Sequence, residues 1–298
     1  MRAILSILLI LTYSLNVHCK QTHLDATKKE ISDDLTPLKL QSICTLDNKV
    51  LETSGLIYFD NFFWTINDSG NPNILYKLDS KTGAVISEIR INNSENVDWE
   101  ELTQDQDYIY IADIGDNSGV RDEKQIYRVQ KSDLLKVKEG GSVNSEKISF
   151  TYPQIDNKES RFDAEALISY NGSLHLFTKD FFETNHFIIP SQPGRTTAKF
   201  VEKFNSNGQV TGAAIDSVHH SIIMVGYLGF GQRLFWEFKD IQKDTFFTGS
   251  VRFFSLGSLE ETGQLEAVCF TAEKKVYLTN EQFGGLKQQL WNLQYPLQ

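Results

Sequence analysis

SGLIYFDNFFWTIND runs from Ser54 to Asp68, and its plan returns four more times. WEELTQDQDYIYIAD follows from Trp99 to Asp113, and AEALISYNGSLHLFTK from Ala164 to Lys179. TGAAIDSVHHSIIMVGY follows from Thr211 to Tyr227, and LEAVCFTAEKKVYLTNE from Leu265 to Glu281. Each copy is two short apolar runs joined by a polar turn. Each opens near a polar or acidic residue and closes about fourteen residues later on another polar residue. Asp60-Asn61 and Asn171-Gly172 are turn residues that tolerate left-handed backbone, so the copies read as β-hairpins. A repeat of this kind decides the fold before any local assignment does.

The copies begin at residues 54, 99, 164, 211 and 265. These are blade-sized intervals for an all-β fold, a β-propeller of four-stranded antiparallel blades. Each hairpin is followed by a third strand such as ILYKLD, QIYRV or LFWEF, and a fourth such as VISEIRI or VRFFSL. Five blades are visible, and the chain length divided by a typical blade gives about six, so a diverged sixth stays open. The long second interval leaves room for a decorated loop around Ser132–Asn144, with a short helical stretch in Lys131–Val137. A strand in Leu38–Leu46 is expected to complete the last blade and close the ring, which removes an exposed sheet edge. A β-sandwich is the competing architecture, but it does not explain a fixed hairpin repeat.

The chain has 298 residues and a formal charge of -10, which argues against nucleic-acid binding and suits cations. Arg2 followed by the apolar run Ala3–Leu15 reads as a signal peptide over 1–19, too short for a transmembrane domain. A lipid anchor at Cys19 is the alternative, although Asn16-Val17-His18 matches a lipobox poorly. Residues 20–37 read as a polar linker, and 38–298 as a single propeller domain. The protein is therefore expected to be exported: secreted, periplasmic or envelope-associated. Export would permit a disulfide between Cys44 and Cys269, whereas their apolar strands favour two buried thiols.

In an antiparallel hairpin the start of one strand lies opposite the end of the next. The spacing therefore pairs Ser54 with Asp68, Glu100 with Asp113, Glu165 with Lys179, Thr211 with Tyr227 and Glu266 with Glu281. In a propeller these residues surround the mouth of the central channel. Asp68, Glu100, Asp113, Glu165, Glu266 and Glu281 would crowd six carboxylates there, each raising the others' pKa. Lys179 supplies one countercharge. A hard cation such as Ca²⁺ would compensate the rest, and a hydrated, salt-bridged mouth is the alternative. The uncharged fourth copy places the expected site off-axis, towards the second, third and fifth modules.

Two acidic, glycine-containing turns add oxygen donors. Asn67-Asp68-Ser69-Gly70-Asn71 follows the first hairpin, and Asp113-Ile114-Gly115-Asp116-Asn117 follows the second. Asp116 and Asn117 join the expected metal ligands. Neither turn is an EF-hand loop, and both suit ordinary turn chemistry. Arg121, Lys179 and Tyr227 are the expected contacts to an anionic ligand. No zinc spacing, nucleophile elbow, Walker loop or dinucleotide fingerprint occurs, and His219-His220 reads as an exposed turn.

The series SGL, DWEEL, IADIGDN with Arg121, AEAL with FTK, VTGAAI, and LEAV with TNE resembles the SdiA-regulated β-propeller family and related phytase/esterase-like propellers. The resemblance covers Ser54 to Glu281. It implies an exported propeller whose acidic axial face binds calcium. Glu165-Ala166 and Glu266-Ala267 stand where that family often has Glu-Gly. Phytase chemistry would also need a basic phosphate site, for which only Lys179, Arg121 and Arg161 are candidates.

Two functions from different classes follow. In the first, the acidic axial face binds a small-molecule or protein ligand, with Ca²⁺. In the second, the protein is a metal-dependent phosphoester or ester hydrolase, with Glu100 and Glu266 as catalytic carboxylates and the cation activating water. A propeller serving only protein interaction is a third reading.

Overall fold

A computed structural model describes residues 36–138, 140–154 and 161–295; the proposed signal peptide, Cys19 and most of the linker lie outside them. The described chain forms five sheets. Blade 1 comprises Thr53–Phe59, Phe62–Asn67, Ile74–Leu78 and Val85–Asn92. Blade 2 comprises Trp99–Gln104, Tyr108–Asp113, Lys124–Gln130 and Glu146–Thr151. Blade 3 comprises Ala164–Tyr170, Ser173–Thr178, Thr184–Pro190 and Lys199–Phe204. Blade 4 comprises Gln209–Asp216, Ser221–Tyr227, Gln232–Lys239 and Ser250–Ser258. Blade 5 comprises Gln264–Phe270, Val276–Glu281 and Gln289–Gln294, with Lys39–Thr45 as its outermost strand. The chain is thus a five-bladed β-propeller, closed by its own N-terminal strand.

The first strand of each blade packs against those of its neighbours, and blade 5 returns to blade 1. Each gap between adjacent blades holds its own apolar core. Trp64, Trp99, Ile111 and Tyr127 fill the gap between blades 1 and 2, and Ile223, Phe235, Val268 and Leu278 that between blades 4 and 5. The innermost strands are covered on both faces, so they read as near-continuous apolar runs. Asp60-Asn61 and Asn171-Gly172 take positive φ in the two-residue hairpin turns, where backbone twist matches that of the strands.

Neighbouring blades also clasp one another at the rim. Ser142–Asn144, from the outer excursion of blade 2, runs parallel to the last strand of blade 1. Gly194–Thr197 of blade 3 does the same to blade 2, and Thr36–Pro37 to blade 4. On blade 3 no such strand is described. There the loop of blade 4 inserts fully buried Phe246 against His175, Phe177 and His186. The short helix of the blade 2 excursion spans Lys131–Leu134. Cys44 and Cys269 are free thiols. Among the described residues no helix is long and apolar enough to cross a membrane.

Candidate functional site

One register detail builds the site. The first two strands of every blade shift register at the opening residue. The shift falls at Ser54-Gly55, Glu100, Glu165, Thr211 and Glu266. A bulge inserts one unpaired residue, bends the strand and re-aims a side chain. All five opening residues are therefore turned out of the ladder. Simple strand opposition is corrected accordingly. Asp113 faces Trp99 rather than Glu100, and Glu281 faces Gln264 rather than Glu266.

The bulged residues behave according to their chemistry. Ser54 donates its hydroxyl to the Glu100 carbonyl of the next blade, and Thr211 donates to the Leu265 carbonyl at 2.6 Å. Glu100, Glu165 and Glu266 present carboxylates instead, and all three are buried. Asp98 and Asp163 precede Glu100 and Glu165 by two residues. Oxygens of Asp68, Asp98 and Glu100 lie within 4.8 Å of one another, as do those of Glu100, Asp163 and Glu165. Glu100 belongs to both groups, so five carboxylates from blades 1, 2 and 3 form one cluster. The five-carboxylate group draws on modules 1, 2 and 3, and Glu266 and Glu281 of module 5 interact electrostatically with Lys179, Glu165 and Asp68 beside it.

Lys179 is the cation nearest this cluster. It forms an ion pair with Glu165 Oε1, and its Nζ sits 5.7 Å from the Tyr227 ring centre. Burial opposes its charge, but Glu165 and Glu266 outweigh that and raise its pKa. The other oxygen of Glu165, Oε2, is buried without a hydrogen-bond partner. Burial, then repulsion from Glu165, Asp68 and Asp98, pushes Glu100 well above the usual carboxylate range. Burial raises Asp68, Asp98 and Asp163 as well. Glu266 rises to about 8 through burial and Glu281; Glu281 rises to about 8 through burial, Asp68 and Glu165.

The DIGDN turn has a supporting geometry. Arg121 holds Asp113 at 2.7 Å and the Gly115 carbonyl at 2.6 Å. Asp113 Oδ1 accepts the Asp98 amide at 3.0 Å. Asp116 is committed to buried Lys124 at 2.6 Å and to the Val120 amide at 2.8 Å. The Asp116 amide donates to Asp163 Oδ1 at 2.8 Å. Thus Asp113 and Asp116 stand behind the cluster and orient Asp98 and Asp163, and Arg121 is occupied in the same task. Asn117 is exposed. Gly115 lies directly over the carboxylates: a Cβ there would sit 2.1 Å from Glu100 Oε1.

Asp98 and Asp163 escaped the sequence reading. Their signal was present as the parallel triplets Asp98-Trp99-Glu100 and Asp163-Ala164-Glu165. Chemically, the cluster is a set of oxygen acceptors in which Glu165 Oε2 has no protein donor. Hard divalent cations take oxygen donors of this kind.

No family model and no curated protein matches the sequence. Solved structures do resemble the fold. The PQQ-bound aldose sugar dehydrogenase of Streptomyces coelicolor superimposes with a TM-score of 0.51 at 12% identity, covering 87% of this chain and 98% of that one. A glucose dehydrogenase superimposes with a TM-score of 0.50 at 10% identity, covering 87% and 100%. At such identities the likeness is one of fold, and the class it defines is the β-propeller.

Proposed function

We propose that this chain is an exported propeller whose axial face binds a divalent cation, Ca²⁺ foremost, and through it a ligand. The observation that carries the reading is the unpartnered, buried Oε2 of Glu165 beside four further clustered carboxylates. A buried acceptor without a donor is costly, and a bound cation removes that cost. Asp68, Asp98, Glu100, Asp163 and Glu165 would hold the ion, which takes six to eight oxygens and so leaves room for ligand or water. The ion would supply a Lewis-acidic contact to a ligand oxygen. The resemblance to SdiA-regulated propellers favours the same cation.

The similar solved proteins are sugar dehydrogenases, one of them holding PQQ. PQQ is a quinone bearing three carboxylates, and it does not fit this donor set. Lys179 is already paired with Glu165, Arg121 with Asp113, and Arg233 is bound to the carbonyls of Gly229, Gly231 and Gly263. The hydrolase reading draws no support from these neighbours, and Glu100 enters here as an ion ligand. Thermal unfolding in Ca²⁺ and then in excess chelator tests the proposal. A raised midpoint that Glu100→Gln abolishes is expected; an unchanged midpoint with no metal by elemental analysis would remove the cation.

A further inference from the structure

The loops that join second to third strands all open on the acidic face, because they follow the closing residues of the hairpins. Four of the five carry exposed apolar side chains. Val120 belongs to blade 2, Phe181 and Phe182 to blade 3, Leu228 and Phe230 to blade 4, and Phe283 to blade 5. Phe181, Phe182 and Phe230 are 62%, 72% and 84% exposed.

These rings sit on constructed turns. Leu228 donates to the Gln232 carbonyl and Gly231 to the Leu228 carbonyl, each at 2.9 Å. Gly229 takes the positive φ that this turn needs. Beneath it, buried Arg233 donates to the carbonyls of Gly229 and Gly231 at 3.3 Å and to that of Gly263 at 2.6 Å. The same guanidinium stands 5.0 Å from the Tyr227 ring centre. A buried arginine thus supports a turn whose tip is an exposed phenylalanine. In blade 3, Asp180 accepts from Thr178 at 2.9 Å and from Asn185 at 3.2 Å, and the Phe182 carbonyl accepts the Asn207 amide at 3.0 Å.

We infer that this apolar rim and the acidic centre together form a saccharide-binding face. The inference rests on the cation reading above. Carboxylates only accept hydrogen bonds, so a ligand reaching them must donate. The buried position of Glu100 and Glu165 admits a small group rather than a broad surface. Ammonium groups and sugar hydroxyls both donate and both suit aromatic rings. A cation in the cluster separates them: hydroxyl oxygens complete its coordination shell, whereas an ammonium is repelled. The flat C–H face of a sugar ring would stack on Phe181, Phe182 or Phe230, with hydroxyls directed inwards.

Isothermal titration of the full chain with glucose, maltotriose, cellotriose and chitotriose, in Ca²⁺ and in EGTA, tests this. Binding of at least one sugar is expected, weaker in EGTA. Phe181→Ala/Phe182→Ala and Phe230→Ala should each weaken it by about tenfold. Because these rings are exposed, both variants should keep the wild-type midpoint and its rise with Ca²⁺. If Ca²⁺ raises the midpoint and none of the sugars binds, or if a lysine oligomer binds instead, the inference is overturned while the cation site stands. Sugar binding that survives EGTA but not ring removal keeps the rim and removes the cation.

Discussion

The carboxylate of Glu101 accepts the backbone amide of Ala213 at 3.1 Å, joining blade 2 to blade 4 across the ring. Its other oxygen accepts the Leu102 amide at 2.9 Å. Glu101 is fully buried, and burial raises its pKa well above the usual range. Glu100 turns out to the mouth while Glu101 crosses the axis, because the bulge separates their directions. Glu101→Leu would strand two buried N–H groups and should cost about 3 kcal/mol in urea unfolding. Glu101→Gln keeps one acceptor and should cost less. An unaltered Glu101→Leu midpoint would mean that the axial bond contributes nothing.

The raised carboxylates predict a cation-dependent pH profile. Glu266 and Glu281 sit near 8 in the fold, against about 4.3 for an unperturbed glutamate. Between these values the folded state holds more protons than the unfolded state. Without a divalent cation, the contribution of these two groups to stability is therefore complete below about pH 4.3 and is lost as pH rises towards 8. The slope is at most about 1.4 kcal/mol per pH unit for each group. Ca²⁺ favours the ionised cluster, so it should offset this loss, and its apparent affinity should rise across the same window. Unfolding midpoints at pH 5, 6.5 and 8, with and without Ca²⁺, check both directions. A cation-free midpoint that rises between pH 6.5 and 8, above the range in which His175 titrates, contradicts the assignment.

The fold was legible because hairpins and turns are local, and five copies reinforced one another. The closing strand at Lys39–Thr45 was legible because an open ring leaves an edge unpaired. The site was half legible. Glu100, Glu165 and Glu266 were visible as acids in apolar runs, but the bulge that aims them depends on strand register, which no single segment encodes. Asp113 was consequently placed one position out: it follows the opposition of Trp99, while Ile114 occupies the place that Lys179 holds in blade 3. The service of Asp116 to Lys124 was invisible, since the same sequence suits a metal loop and a buried ion pair. The rim clasps, two to four residues each, have too little pattern to announce themselves.

Gly115 offers a substitution that separates cluster geometry from folding. Its backbone does not need positive φ, so alanine is conformationally allowed. The added Cβ would nevertheless meet Glu100 Oε1 at 2.1 Å and Asp98 Oδ2 at 2.5 Å. Carboxylate ends can swing away, so Gly115→Ala should alter metal-free stability by only about 1 kcal/mol. The displaced oxygens should weaken Ca²⁺ binding by about tenfold, read as the calcium concentration that raises the midpoint. Wild-type calcium response in this variant would show that Glu100 and Asp98 are not both ligands.

Blade 3 holds a second titratable feature on its second and third strands. His175 Nδ1 lies 2.9 Å from His186 Nε2, and His186 Nδ1 lies 3.2 Å from Glu202 Oε1. Glu202 also accepts the Phe246 amide at 2.5 Å, so the pair anchors the loop that blade 4 inserts. A neutral His186 has one N–H to give, either to His175 Nδ1 or to Glu202 Oε1, while His175 Nε2 lies 3.3 Å from the Tyr170 carbonyl. Burial, then His186, pushes His175 down to about 3, against about 6.5 when unfolded. The unfolded chain therefore takes up the proton first as pH falls. Stability from this group is complete above about pH 6.5 and drains away towards pH 3, at about 1.4 kcal/mol per pH unit. His175→Gln retains a polar partner for His186 but does not titrate. It should be less stable at pH 7.5 and show a shallower acid slope than the wild type. Equal slopes between pH 6.5 and 4 would mean that His175 is already protonated in the fold.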